Sequence, residues 1–327
     1  MDGGGTGPRS VVAGLGAYLP ERVVSNDELS RRVDTTDIWI QERTGIRQRH
    51  VAAQHETCAY MGTQAAAAAL ADAGCTAADV DAVILATSTP DQAFPASALR
   101  VQAELGIRRG FGFDLSAACS GFVYALSVAD SMVRAGQATG VLVIGSEVYS
   151  RIMNWADRGT CVLFGDGAGA AFVRAAGKAD ANRGILSTHL HADGTLGDLL
   201  YVDGAVGQAD RPGHLVMNGR EVFRHAVTKL ASVVDEALQA NGLQHGDVDW
   251  LVPHQANRRI IEAMGRKLGL APERVVVTVD RHANTSAASI PLAMAEAYGD
   301  GRIRRGDLVL MEALGGGMTW GAALIRL

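Results

Sequence analysis

Part of this 327-residue chain is written twice. Ala69-Leu70, Gly74 and Asp79-Val80-Asp81 recur as Ala237-Leu238, Gly242 and Asp247-Val248-Asp249, a constant offset of 168 residues (237 − 69). The same offset carries Val141-Leu142 onto Val309-Leu310 and Ala125 onto Ala293. A register shared by helix, loop and strand patterns marks a duplication, and a duplication constrains the fold before any other feature does. The chain divides into an N-terminal half, residues 9–177, and a C-terminal half, residues 178–327, behind a glycine-rich stretch over 1–8 expected to be flexible.

Each half carries a βαβαβ pattern. Short Val/Ile/Leu runs at 81–87, 141–145, 248–252 and 307–313 predict strands buried on both faces, and Ala-rich segments at 57–73, 119–135, 218–241 and 286–299 predict the helices between them. Runs at 161–173 and 319–326 follow without an intervening helix and predict antiparallel additions. Two such sheets, each sandwiched by helices, give an α/β fold of five layers, α/β/α/β/α.

Composition narrows the function. Hydrophobic residues at 48% against 20% charged exclude a disordered chain. With 30 Lys+Arg against 35 Asp+Glu, no global basic field exists to hold nucleic acid or an anionic membrane. No basic segment leads into an apolar one at the start, and no apolar run approaches about 18 residues, so a cytoplasmic protein without a membrane partner is expected. Cys58, Cys75, Cys119 and Cys161 lack Cys-x-x-Cys or zinc-like spacing. The His189-x-His191 pair has no third ligand at plausible spacing, so no metal and no redox cofactor is expected.

Three segments can carry chemistry. Phe111-Gly-Phe-Asp-Leu115 predicts a strand and Cys119-Ser-Gly-Phe-Val-Tyr begins an apolar helix, which sets Cys119 at a strand-to-helix turn. Free N–H groups and the helix dipole there favour a thiolate, lowering the pKa below about 8.5. The competing reading, a buried structural cysteine, is the one adopted for Cys58, Cys75 and Cys161. His254 follows the strand Trp250-Leu-Val-Pro, where ligands bind in α/β sheets, or equally caps the next helix. Asp280-Arg-His-Ala-Asn284 repeats the strand-to-helix turn, with Asn284 an N-cap by default. The offset carries Cys119 to position 287, three residues past Asn284, so the two residues start equivalent helices that a pseudo-twofold brings together. Gly165-Asp-Gly-Ala-Gly169 lacks the Lys-Ser/Thr of a phosphate loop and reads as close backbone packing.

DLSAACSGFVYAL around Cys119, FGDGAGA at 164–170, LVPHQANRRI at 251–260, ANTSAASIP at 283–291 and EALGGGMTWGAAL at 312–324 together resemble β-ketoacyl-[acyl carrier protein] synthase III, a thiolase-fold family. The resemblance runs from about residue 9 to the C-terminus. It implies an acyltransferase that condenses a short acyl-CoA with malonyl-[acyl carrier protein] to begin fatty acid synthesis. It also implies Cys119, His254 and Asn284 as a catalytic triad, with an oxyanion hole from the Cys119 and Gly316 N–H groups. Thr35, Trp39, Arg43, Arg158, Gly159, Gly219, Phe223 and Asn257 would take CoA and pantetheine, Trp39 and Arg158 clamping the adenine. Arg224, Arg259, Arg266 and Lys267 would meet the acidic carrier protein, although such a run is also what a solvated helix face looks like. Phe94 would close the acyl pocket of a second subunit in a homodimer.

Two departures from the family pattern stand out. Ala283 replaces a usual glycine before the Asn, which implies a slightly different local backbone. Leu314 replaces a frequent phenylalanine, which opens the choice of acyl group. Within the fold, the alternative is a starter-unit ketosynthase or acyltransferase of a specialised polyketide pathway. From other classes, a cysteine hydrolase and a noncatalytic acyl-CoA-binding scaffold remain open.

Overall fold

The structure, a computed structural model, describes residues 9–204 and 213–327. The flexible stretch expected over 1–8 lies outside the described residues. In the first half, β1 (Ser10–Tyr18), β2 (Ala82–Ala86), β3 (Phe111–Leu115), β4 (Gly140–Val148) and β5 (Asp166–Ala175) form one sheet in the order β1-β5-β4-β2-β3. In the second, β6 (Gly184–Ala192), β7 (Trp250–Pro253), β8 (Leu308–Gly315) and β9 (Thr319–Arg326) form a sheet ordered β7-β8-β9-β6. β5 and β9 are the antiparallel strands of their sheets, as the helix-free runs predicted.

Strand alternation sorts the layers. Val83, Leu85, Leu142 and Ile144 face outward against helix α1 (Cys58–Asp72). Their neighbours Ile84, Val141 and Val143 face inward, into a core shared with Val252, Val309 and Met311 of the second sheet. That core is filled by helix α2 (Gly121–Arg134) from the first half. The second half adds α3 (Gly219–Ala240), α4 (Arg258–Lys267) and α5 (Ser289–Gly299). Helix α5 joins α2 in the central layer, while α3 and α4 cover the outer face of the second sheet. These are the five expected layers.

The offset of 168 survives in three dimensions. Gly74 and Gly242 have φ of 65° and 64°, and in the 3-10 turns Ala77–Asp79 and His245–Asp247 the Asp side chain accepts the N–H of the preceding Thr76 or Gln244, at 2.8 and 2.7 Å. Asp81 accepts the Gly140 N–H at 3.3 Å and Asp249 accepts the equivalent Leu308 N–H at 2.8 Å. A Cβ on Gly169 would lie 2.6 Å from the Leu292 backbone N, which supports the packing role read for that glycine run.

The halves part company before Asn284. At the positions equivalent to strand β3, where a strand-to-helix turn was expected, the chain forms a short helix, Val279–His282, and the counterpart of β3 survives only as one bridge, Leu251 to Val275. The buried Gln255 explains the exchange. Its Oε1 accepts the N–H groups of Thr278 and Val279, and its Nε2 donates to the Pro253 and Val276 carbonyls. One side chain thereby satisfies backbone groups that a ladder would otherwise have to pair.

Candidate active site

Two equivalent turns meet at the centre of the molecule. The 3-10 turn Ala118–Ser120 leads into α2 and the 3-10 turn Ser286–Ala288 leads into α5. Ala118 and Ser286, 168 residues apart, both adopt left-handed φ, 46° and 49°, a conformation costing an L-residue about 1–2 kcal/mol. Packing holds both turns in place. A Cβ on Gly121 would lie 3.3 Å from the Ala287 Cβ, and one on Gly145 would collide with the Ala287 carbonyl.

Cys119 therefore sits in a turn just before α2, not at the first residue of the helix, and is 4% exposed. The lowered thiol pKa expected from the helix end is not found. Burial pushes the thiol up to about 12, outweighing the hydrogen bonding of Ser286 and of its own backbone, and the charge of Glu147 acts in the same direction as burial. Desolvation of the charged form is the larger effect in so dry a site.

The β8–β9 hairpin closes over this turn. Thr319 Oγ1 donates to the Ala117 carbonyl at 2.9 Å, and Ser120 Oγ donates to the Thr319 carbonyl at 2.9 Å. A Cβ on Gly315 would lie 2.6 Å from the Cys119 N, so only glycine lets the hairpin approach this closely. Gly316 follows directly, against the Leu200 carbonyl.

His254 leaves the end of β7 with its N–H on the Glu312 carbonyl at 2.8 Å. Its Nδ1 is 2.6 Å from Ser289 Oγ, which also accepts the Gln255 N–H at 3.2 Å. Burial lowers the imidazole pKa to about 3, so the ring is neutral. Asn284 is fixed by its backbone, which exchanges hydrogen bonds with Leu163 and Gly165, and by its side chain, whose Oδ1 accepts the Ser286 N–H at 2.9 Å. The residue thus caps the 3-10 turn with its oxygen, leaving the NH2 group for the cavity.

Cys119, His254 and Asn284 line one cavity of about 100 Å³, together with Gly219, Phe223, Asn257 and Leu314. Sequence reasoning missed Leu163, Phe164, Leu200, Met217 and Val222 in its wall, and Ser289 behind His254. Ser289 lay within the ANTSAASIP stretch and Phe164 opens the FGDGAGA stretch; the other wall residues carried no signal beyond being apolar.

Thr35, Trp39, Arg43, Arg158 and Gly159 lie outside this lining, and Asn257 ties them to it by donating to the Arg43 carbonyl at 3.0 Å. The Arg43 and Arg158 guanidinium carbons stand 4.5 and 4.9 Å from the Trp39 ring centroid, which leaves no room for a base between Trp39 and Arg158. Arg158 is anchored there by the Asp34 carbonyl at 2.9 Å. Thr35 Oγ1 is buried without a hydrogen-bond partner, and the Gly159 N–H donates to Asp157. Phe94 is 84% exposed and away from the cavity.

The basic patch is weaker than its sequence implies. Arg224, Arg266 and Lys267 pair with Glu221, Glu262 and Asp235, so among the described residues Arg259 alone of the four has no ion pair. His189 and His191 both hydrogen-bond Glu236, and among the described residues no group of three is placed to hold a metal. Ala283 adopts φ 59°, ψ −161°, a region normally reserved for glycine.

Residues 113–194 match the family model described as 3-oxoacyl-[acyl-carrier-protein (ACP)] synthase III, and residues 238–327 match the model of its C-terminal part. The chain is 71% identical over 318 residues to a β-ketoacyl-[acyl-carrier-protein] synthase III of Acidiphilium cryptum, covering 97% of this chain and 99% of that one. Among solved structures, 3-oxoacyl-[acyl-carrier-protein] synthase III from Aquifex aeolicus superposes with TM-score 0.92 at 47% identity, covering 97% and 100% of the two chains. A priming β-ketosynthase from a polyketide biosynthetic pathway superposes with TM-score 0.92 at 39% identity, covering 98% and 96%.

Proposed function

The chain belongs to the β-ketoacyl-[acyl carrier protein] synthase III family, and on that premise we propose how its site divides the work. It is a ketosynthase of thiolase fold that performs the initiating condensation of fatty acid synthesis. An acyl group passes from acyl-CoA to malonyl-[acyl carrier protein], and CoA and carbon dioxide leave.

In this reading Cys119 attacks the acyl-CoA thioester, and the oxyanion is taken by the N–H groups of Cys119 and Gly316. His254 and Asn284 then donate to the malonyl thioester carbonyl and stabilise the enolate formed as carbon dioxide leaves. The observation that carries the assignment is that both side chains are held as neutral donors. In this reading the Ser289 hydroxyl, 2.6 Å from His254 Nδ1, donates to it, which puts the ring proton of the neutral imidazole on Nε2. Ser286 occupies Asn284 Oδ1, which leaves its Nδ2 to donate. Decarboxylation itself supplies the carbanion, so the reading invokes no cofactor.

Gly219, Phe223 and Asn257 receive the pantetheine arm, with Thr35, Trp39, Arg43, Arg158 and Gly159 along its approach. Adenine enters when Arg158 swings off Trp39. Arg259 leads the contact with the carrier protein, supported by Arg224, Arg266 and Lys267. Phe94, an exposed aromatic, is covered by a second copy in a homodimer, and the protein works in the cytoplasm.

A second reading, starter selection for a specialised polyketide, is favoured by Leu314, whose smaller side chain lines the cavity. Product formation from a panel of straight and branched acyl-CoAs with malonyl-[acyl carrier protein] tests both. Acetyl-CoA is the expected primer for fatty acid synthesis, and a strong preference for a longer or branched primer favours the second reading. Equal loss of product from every primer in Cys119→Ala is expected in either case; retained product overturns the nucleophile.

A further inference from the structure

Acylating Cys119 requires somewhere for its proton to go, and the neighbouring groups are unequal to the task in different ways. Burial keeps the thiol protonated at rest, and His254 takes up a second proton only near pH 3. On the other side of Cys119 lies a second group of polar side chains that the condensation reading leaves unused. Glu147 is fully buried near the end of β4, on the face that carries Val141 and Val143 toward the central layer. Its carboxylate accepts the Ser88 N–H at 3.0 Å, the Thr89 hydroxyl at 2.6 Å and the Thr87 hydroxyl at 3.2 Å.

Between Glu147 and Cys119 stands Ser286. Its hydroxyl is wholly buried without a hydrogen-bond partner, and its turn is packed on both neighbours: a Cβ on Gly145, two residues before Glu147, would collide with the Ala287 carbonyl, and one on Gly121, two residues after Cys119, would lie 3.3 Å from the Ala287 Cβ. The titratable groups that feel the charge of Glu147 are Cys58, Cys119 and Tyr149, and among the described residues no basic side chain forms an ion pair with it. The left-handed turn at Ser286 is what places the hydroxyl there, pressed onto β4 by the contact between Gly145 and Ala287.

We propose that Ser286 and Glu147 form a proton store for Cys119, filled during acylation and emptied during condensation. As Cys119 Sγ bonds the acyl carbon and the carbon–sulfur bond to CoA breaks, the thiol proton passes to Ser286 Oγ and the Ser286 hydroxyl proton passes to the Glu147 carboxylate. The CoA thiolate leaves and is protonated by water. In the second half-reaction the enolate carbon bonds the acyl carbon, the bond to Cys119 breaks, and the departing thiolate recovers its proton from Glu147 through Ser286. One proton is consumed overall, on CoA, matching the negative charge lost when the malonyl carboxylate leaves as carbon dioxide. Burial raises the Glu147 carboxyl to about 7, so both of its protonation states are accessible near neutral pH. In this relay Ser286 exchanges the proton with the reacting sulfur, and Glu147 acts through Ser286.

The inference rests on Cys119 as nucleophile, and the experiment separates the two. First-turnover release of CoA is followed for wild type, Ser286→Ala and Glu147→Gln mixed with acetyl-CoA across the neutral pH range. Ser286→Ala keeps the turn, since Ala118 already holds the same conformation. Each variant should release CoA about 100-fold more slowly, with acetyl-CoA affinity unchanged, and the double variant should be no slower than either single one. The wild-type rate should rise through a pH of about 7, and that rise should vanish in Glu147→Gln. Wild-type rates in either variant, or a slower rate that keeps the same rise, overturn the proton store. Failure of wild type to acylate at Cys119 overturns the nucleophile itself.

Discussion

The ends of β4 and β8 are equivalent positions in the duplication, and each meets the turn of the opposite half with different chemistry. At the end of β8, Gly315 has no side chain and lets the hairpin close onto the Cys119 N. At the corresponding place on β4 stands Glu147, a buried carboxylate against Ser286. A second equivalent pair, Ala86 and His254, shows the same divergence: small and apolar at the end of β2, a polar imidazole beyond β7. Duplication supplied two similar scaffolds with helix ends facing each other. The reaction was written onto them by changing which side chain, or none, stands at matched positions.

The predictions strike that division in order of expected size. Removing the polar groups of the second half should cost most: His254→Ala and Asn284→Ala should each lower condensation by about 10²–10⁴-fold. First-turnover CoA release should stay within a few-fold of wild type, and parallel loss of both steps breaks the comparison. A stability effect comes next. The folded pKa of His254 is held near 3 against an ordinary 6.5, so below 6.5 the unfolded chain binds a proton that the folded one refuses. The stability this group contributes is complete above 6.5 and is lost as pH falls toward 3. Denaturant midpoints at about pH 7 and about pH 4.5 should therefore differ less for His254→Gln than for wild type.

The outer surface gives smaller effects. Arg259→Glu should raise the KM for malonyl-[acyl carrier protein] roughly tenfold, about 1.4 kcal/mol, and leave acetyl-CoA nearly untouched. Arg266→Glu should do less, because Arg266 already pairs with Glu262, and added salt should weaken the wild-type carrier step. Leu314→Phe should shift the acyl-CoA ranking toward short chains by about fourfold per methylene, since each buried CH2 contributes about 0.8 kcal/mol. An unchanged ranking shows that position 314 does not select the primer. The least effect belongs to Ala283→Gly, where relief of a strained φ is offset by a looser unfolded chain and a lost methyl, so thermal unfolding should move by less than about 1 kcal/mol.

Much of this site was legible because local rules and long-range geometry agree in it. The offset located both turns and paired Cys119 with Asn284, and strand-then-helix patterns put His254 at a sheet end. What escaped depends on neighbours distant in sequence. The thiol pKa of Cys119 is set by how dry the centre becomes once two halves close, which no property of the helix end reports. The strand-to-helix turn expected at Asp280–Asn284 became a short helix because one buried glutamine satisfies the backbone there. The basic patch lost weight because Glu221, Glu262 and Asp235 come back to neutralise it. Glu147 carried no signal, and Ser286 was only one letter of the ANTSAASIP stretch, until the turn at 286 was seen to sit on β4.

The central claim, that the first half carries the nucleophile while the second handles the enolate, is tested most directly by locating the acyl group. Wild type, Cys119→Ala, His254→Ala and Asn284→Ala are mixed with acetyl-CoA without malonyl-[acyl carrier protein], digested, and read by peptide mass spectrometry. One acetyl group should appear on Cys119 in wild type, His254→Ala and Asn284→Ala, and none anywhere in Cys119→Ala. Acetylation of Cys119→Ala at Cys58, Cys75 or Cys161, or its loss in the His254 and Asn284 variants, contradicts the account.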